Sequence, residues 1–140
     1  MKKTYKVLAE QFGIRWKGRR YDRSKPTAAD DANQAINHAA TAVQAAATIA
    51  VAAVSALPQL GFIHEDSDQS FVLDVADIYR DSVTLPIAFA VAKEAEKNFQ
   101  DPIDRLVRKR AAKEFRKQKL ISAMIDRIKD LLAPPETAKE

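Results

Sequence analysis

His64, Asp74 and Asp77 are the residues whose types and spacing could do chemistry. The run Ser70-Phe71-Val72-Leu73-Asp74-Val75-Ala76-Asp77 reads as helix, and a separation of three puts both carboxylates on one face. Two like charges held together call for a reason, and a divalent cation is one. Oxygen ligands suit magnesium and manganese, while an imidazole from His64, at the end of a short loop, tilts the set toward manganese-type ions. The alternative is an acidic, solvated face with a structural histidine nearby. Phe62 and Ile63 before the histidine, and Phe71, Val72, Leu73, Val75 and Ala76 around the aspartates, predict that these polar groups sit at the edge of a core. A carboxylate desolvated there must be paired, hydrogen-bonded or metal-bound.

The elements that must position these residues read as helices throughout. Tyr5, Leu8, Ala9 and Phe12 fall at helical spacing in a segment from Thr4 to Phe12, and Gly13 fits a left-handed C-cap. Ile14 to Tyr21 reads as a loop or short extended segment closed by Pro26. Asp30 or Asp31 caps an alanine-rich helix from Ala32 to about Leu57, ended by Pro58. So many alanines allow close approach on every side, which predicts that this helix lies at the centre. Gln69 to Tyr79 carries the aspartates. Pro86 starts a helix running to about Asn98, and Asp101-Pro102 starts another over 102–118. Ile121, Met124, Ile125, Ile128, Leu131 and Leu132 form one apolar stripe before Pro134-Pro135. No strand is convincing. The expected fold is all-α, a compact multi-helix bundle around the central alanine-rich helix, with a helical domain over residues 1–133 and a polar tail over 134–140.

Composition bounds the partners. The 140 residues make one domain-sized unit, able to bury about two thirds of its unfolded surface. The absence of cysteine excludes disulfides, thiol catalysis and cysteine-ligated zinc. The basic start lacks an apolar h-region, so no secretory signal is read. Ala42 to Leu57, interrupted by Gln44, Thr48 and Ser55, is expected to be a buried helix rather than a bilayer span. Charge is segregated: residues 1–25 carry nine Lys/Arg against two acids and 105–119 eight against one, whereas 26–104 carry three against twelve. Basic ends around an acidic middle suit a polyanion held at both ends of a cation-requiring site; solvated charged helices give the same counts.

Helix 102–118 places Arg105, Lys109, Lys113 and Arg116 or Lys117 four apart, with Arg108 beside them, while Ile103, Leu106, Val107 and Phe115 serve the core. Such a stripe either follows a phosphate backbone or is an ordinary solvated face. Arg15-Trp16-Lys17-Gly18-Arg19-Arg20-Tyr21 mixes cations with aromatics, a composition suited to phosphate contact and base stacking. Trp16 either stacks on a base or anchors the loop to the core. His38, alone in the alanine-rich helix, reads as a packed residue.

Four ordered blocks carry a resemblance. Gly18-Arg19-Arg20-Tyr21-Asp22, Gly61-Phe62-Ile63-His64, Ser70 to Asp77, and Pro86 leading a helix closely resemble the CRISPR-associated spacer-acquisition integrase family in its type I-E form, over nearly the whole chain. The resemblance implies the helical catalytic domain of a protein that also has a small N-terminal β domain. It implies a metal-dependent DNA endonuclease and integrase of antiviral defence, cytoplasmic and without a membrane, with Mg2+ or Mn2+ as cofactor. DNA, as spacer precursor and repeat, is the implied partner, together with a second CRISPR adaptation protein and a second copy in the full-length context. His64 and Asp74 take the place of metal ligands and Asp77 that of a supporting carboxylate, these three forming the catalytic set. Lys17, Arg19, Arg20, Tyr21, Arg105, Arg108 and Lys113 take the nucleic-acid contacts.

Two departures stand out. The family's glutamate ligand lies upstream of the position matched by Tyr5, before Met1, and neither Glu10 nor Glu65 falls at its place. Ser67 stands where some relatives carry a lysine. The implied reaction is phosphoryl transfer, a DNA 3′-hydroxyl attacking a phosphodiester of the repeat. The competing readings are a catalytically inactive helical DNA-binding module and, more distantly, a helical protein-interaction domain without nucleic acid.

Overall fold

The computed structural model describes residues 2–25, 28–55 and 65–132, with the side chains of residues 2 and 65–69 left aside. Six α-helices are present among them: α1 Lys2–Gln11, α2 Asp31–Ser55, α3 Glu65–Ile78, α4 Leu85–Ala95, α5 Ile103–Gln118 and α6 Leu120–Leu132. A π-helical turn, Arg80–Thr84, joins α3 to α4, and the described residues contain no strand. The all-α bundle is as expected. Helix α2 packs against α3, α4, α5, α6 and the π turn, which makes it the central element. Its buried face is Ala32, Ala35, Ile36, Ala39, Val43, Ala46, Ala47, Ala50, Val51 and Val54. Small side chains at such contacts let neighbouring axes approach at the short end of the usual 8–10 Å range, about the closest that helices pack.

Length and composition alone would let α2 cross a membrane. Its 25 residues include a window of mean hydropathy 1.4, more apolar than the sequence reading allowed. The helices packed around it identify it as the core helix of the bundle. Helix α4 is its apolar counterpart, with Leu85, Ile87, Ala88, Phe89, Val91, Ala92 and Ala95 all buried. A helix apolar on nearly every side must be enclosed, and α4 packs on α1, α2 and α5.

The loop between α1 and α2 is tied down at both ends. Gly13 adopts φ +70, and Ile14 N–H donates to the Ala9 carbonyl at 2.8 Å, closing α1 as its glycine predicts. Trp16 stacks on Tyr5 at 5.5 Å and meets Phe89 edge-on at 5.6 Å, so it anchors the loop to the core. Asp30 is the cap of α2: its Oδ1 accepts from Asn33 N–H at 2.8 Å. Asn33, 1% exposed, has every amide valence used. Its Nδ2 donates to the Gly18 carbonyl and to Asp30 Oδ1, both at 2.9 Å. Its Oδ1 accepts from Arg19 Nη1 and from Arg20 N–H, also at 2.9 Å.

Some boundaries differ from expectation. Helix α3 begins at Glu65 rather than Gln69, because the polar run before Ser70 carries no apolar period to mark it. Pro102 is the N-cap of α5, extended at ψ 154, rather than a first-turn residue. On α6 the apolar stripe is only partly used: Met124 and Ile128 are buried and Ile121 and Ile125 half-buried against the core, while Leu131 and Leu132 are 49% and 38% exposed. Burial follows the first turns of α6 and lapses in the last. The expected end of α2 near Leu57 and the polar tail over 134–140 lie outside the described residues.

Two stability outcomes follow. Asn33→Ala should lower the unfolding free energy by about 2–3 kcal/mol in urea titration, since it orphans buried partners as well as removing bonds. Lys119, the C-cap of α5, sits at φ 50 in the left-handed region. Lys119→Gly should therefore raise stability by about 0.5–1 kcal/mol in the same assay, and a loss would show that the αL conformation carries no strain there.

Candidate metal and nucleic-acid site

Helix α3 sets one side to the core and one to water. Val72, Val75 and Ala76 are buried against the bundle, while Leu73, Asp74 and Asp77 are exposed. The two aspartates share a face, as their spacing predicts, and open into one groove of about 290 Å³. Its walls are Ala40, Val43 and Gln44 of α2, Leu73, Asp74, Ala76 and Asp77 of α3, and Arg80 and Thr84 of the π turn. The apolar neighbours place the carboxylates at the rim of the core rather than within it. Leu73 in particular faces outward, so desolvation is not what compels these carboxylates to find a partner.

Asp77 already has one, an ion pair and hydrogen bond with the Arg80 guanidinium. Asp74 and Asp77 are hard oxygen donors one helical turn apart, and they fit part of the shell of a magnesium- or manganese-type ion. His64, the expected third member, lies outside the described residues, as does the rest of the block Gly61-Phe62-Ile63-His64. Among the described residues no group of three His, Cys, Asp or Glu side chains could hold a metal ion.

The basic loop lies along the same helix that walls the groove. Asn33, Asn37, Ala40 and Gln44 are spaced four, three and four apart, one face of α2. Asn33 holds Arg19 and the Arg20 backbone, Asn37 Nδ2 donates to the Tyr21 hydroxyl at 3.2 Å, and Ala40 and Gln44 line the groove. At 1.5 Å of rise per residue, the stretch from Asn37 to Gln44 covers roughly 10 Å. Arg19 also lies 5.7 Å from the Tyr21 ring centroid. Its pKa is lowered, first by burial and in part by the charge of Arg80, an effect that Tyr5, Tyr21 and Asp30 oppose. One Arg19 nitrogen is fixed to Asn33, and the rest of its donor fork remains to meet an anion. Lys17 and Arg20 are exposed, and Tyr21 is half-buried with its hydroxyl engaged.

On α5, Arg105, Arg108 and Lys113 are all exposed. Arg105 pairs with Asp101 at 3.5 Å and Arg108 with Asp104 at 2.9 Å. Such exposed i,i+4 pairs are weak enough to yield to a phosphate. Arg80, Asn33, Asn37 and Gln44 were not singled out in the sequence. Arg80 could have been, from its opposite charge three residues after Asp77.

The chain matches, over residues 2–126, the family described as CRISPR associated protein Cas1. The CRISPR-associated endonuclease Cas1 of Escherichia coli (strain K12) is 36% identical over 144 residues, a match covering 97% of this chain and 46% of the relative. That of Clostridium sp. (strain SY8519) is 34% identical over 125 residues, covering 89% and 41%. The chain thus spans somewhat under half the length of these relatives. Among solved structures, the crystal structure of a TtCas1-DNA complex superposes with a TM-score of 0.80 at 30% identity, over 96% of this chain and 49% of that one. The crystal structure of TtCas1 gives 0.72 at 27% identity, over 94% and 47%. With a family match across nearly the whole chain and a helical bundle that superposes on solved members, the chain belongs to the Cas1 family of CRISPR-associated proteins.

Proposed function

We propose that this chain is the helical, DNA-holding part of a metal-dependent endonuclease and integrase of the type I-E form, which joins spacer DNA to a CRISPR repeat by phosphoryl transfer. The observation that carries this reading is that Asp74 and Asp77 open into one groove walled by the α2 face that also carries the basic loop. The endonuclease names of the relatives and the DNA bound in the TtCas1 complex agree with it. In this reading His64 and Asp74 hold Mg2+ or Mn2+, which supplies Lewis-acid stabilisation at a phosphoryl oxygen. Asp77 supports that set. Lys17, Arg19, Arg20, Arg105, Arg108 and Lys113 hold the sugar-phosphate backbone, and Asn33 and Asn37 keep Arg19 and Tyr21 aimed. The glutamate ligand would come from the half of the relatives that this chain does not match. The β domain, the second copy and the second adaptation protein belong to that full-length, cytoplasmic context.

A second reading, a catalytically inactive DNA-binding module, is favoured by one observation: the described residues offer two carboxylates and no third donor. Activity separates the two readings. This chain alone should cut and join DNA in manganese at least about a hundredfold more slowly than a fusion to the N-terminal half of the Escherichia coli relative, because loosely held reactants lose that much for about 1 Å of misplacement. An inactive but DNA-binding fusion supports the second reading. Equal activity in both forms would show that the ligand set is complete within this chain. Manganese titration by calorimetry should show weaker binding in His64→Ala and in Asp74→Ala than in the wild type; unchanged binding would remove both from the ligand set.

DNA binding should be sequence-tolerant and strongly salt-dependent, since these cations reach phosphates and none is positioned to read a base edge. Arg105→Ala with Arg108→Ala should weaken all sequences alike and flatten the slope of log K against log salt by about one unit per lost contact. An affinity indifferent to salt would sink the nucleic-acid reading.

A further inference from the structure

The stripe that the sequence draws along α5 is two surfaces in the structure. In its first half the cations are already answered, Arg105 by Asp101 and Arg108 by Asp104. In its second half, residues 109–119 hold six cations and one acid, Glu114. That acid is half-buried and engaged, 3.9 Å from Arg110 and accepting from Gln118 Nε2 at 3.3 Å. Lys109, Lys113, Arg116 and Lys117 are exposed, and among the described residues none of the four is paired with a carboxylate. The dipole of α5 favours cations in its last turn, which accounts for Arg116 and Lys117 but not for Lys109 and Lys113. Like charges four apart oppose one another on a helix, so the arrangement works slightly against α5 itself.

The place of this face in the fold gives it a use. Arg110, Glu114 and Gln118, on the adjoining side of α5, line a second groove of about 120 Å³ with Phe12, Pro86 and Val83. Val83 belongs to the π turn, whose next residue, Thr84, lines the groove of Asp74 and Asp77, so the two grooves flank one turn of backbone. The basic loop lies toward the other end of α4: Arg15 and Lys17 share a hollow with Ala92 and Glu96, and Pro86 and Glu96 stand roughly 15 Å apart along that helix. Cations therefore stand on both sides of the aspartate groove, those of the loop along α2 and those of α5 across the π turn. We propose that the second half of α5 holds the sugar-phosphate backbone of DNA as it leaves the aspartate groove across the π turn, with Lys109, Lys113 and Lys117 as phosphate ligands and Arg116 beside them. The proposal rests on the DNA-holding reading above and deepens it, extending the contact from the loop into a single track. Spacing suits the occupant: cations four apart on a helix stand about 6 Å from one another along its axis, close to two steps of a DNA strand at about 3.4 Å each. The mobile ammonium of lysine follows a backbone of any sequence. Arg105 and Arg108 must first give up a carboxylate, so they contribute less to the same contact.

The test is the affinity of the full chain for a mixed-sequence duplex of about twenty base pairs, long enough at about 3.4 Å per pair to cover the whole track, measured across a series of salt concentrations. Lys109→Gln with Lys113→Gln and Lys117→Gln forms one variant, Lys17→Gln with Arg20→Gln a second, and the two sets together a third, with far-UV circular dichroism to confirm folding. The α5 set should weaken binding about tenfold and flatten the slope of log K against log salt by about three units, the loop set should flatten it by about two, and the combined variant by their sum. A slope that the α5 set leaves unchanged while the loop set flattens it overturns the proposal, keeps the DNA-holding reading intact and leaves the face to an acidic protein surface. Losses that emerge only in the combined variant mean two separate sites that substitute for each other, and they overturn the single track. Absence of binding by the wild type at low salt overturns the DNA-holding reading and the proposal together.

Discussion

One buried amide organises the polar side of this bundle. Asn33, sealed under the first turn of α2, meets the Gly18 carbonyl, the Arg20 amide, the Arg19 guanidinium and the Asp30 carboxylate at once. An unpaired amide at that depth would be costly, so all these groups must stay where they are or none can. The consequence reaches the site. A loop that carries Lys17, Arg19 and Arg20 within four residues would splay apart by like-charge repulsion; here its backbone is fastened from below while its charges face out. Gly18 adopts φ +99 to let its carbonyl turn inward, a conformation that strains a side-chain-bearing residue.

The apolar half of the molecule has a different logic. Helix α2 contributes mostly alanines and valines, and α4 contributes the bulk, with Leu85, Ile87, Phe89 and Val91 fully enclosed. Small against large lets α3 ride on α2 with Val72, Val75 and Ala76 inward, which fixes the azimuth of Asp74 and Asp77 as a by-product of packing. The aspartates thus need no dedicated support to share a groove. The ion pair of Asp77 with Arg80 forms in water-accessible space, without forced desolvation.

Period and capping carried much of this in the sequence. The stripe Tyr5, Leu8, Ala9 and Phe12 with Gly13 behind it, the alanine-rich centre, Pro86 at the head of α4 and the three-residue spacing of the aspartates all follow from local rules. What local rules miss is long-range. Nothing near Asn33 announces that it will bond residues fourteen and fifteen positions away, because the loop that supplies those partners has no period. The αL turn at Lys119 was equally hidden, since lysine is not the residue that such a turn selects. Leu131 and Leu132 satisfied the pattern without the burial, a reminder that a stripe states what could be covered and a neighbour decides what is.

The π turn is where the two halves meet. An uninterrupted α-helix from α3 into α4 would have to keep one azimuth for two jobs, aspartates toward the groove and then an almost wholly apolar surface into the core. Tyr79, at φ −98 and ψ 9, breaks the ladder, and the wider turn that follows lets Val83 and Thr84 go inward while Arg80 stays at the groove. The same break permits Pro86 in the first turn of α4, where its missing N–H costs nothing. A straightened junction would keep Arg80 one turn from Asp77, and so would have to turn either Leu85 and Phe89 out of the core or both charged residues out of the groove. The core and the charge balance of the groove are therefore coupled through five residues of backbone.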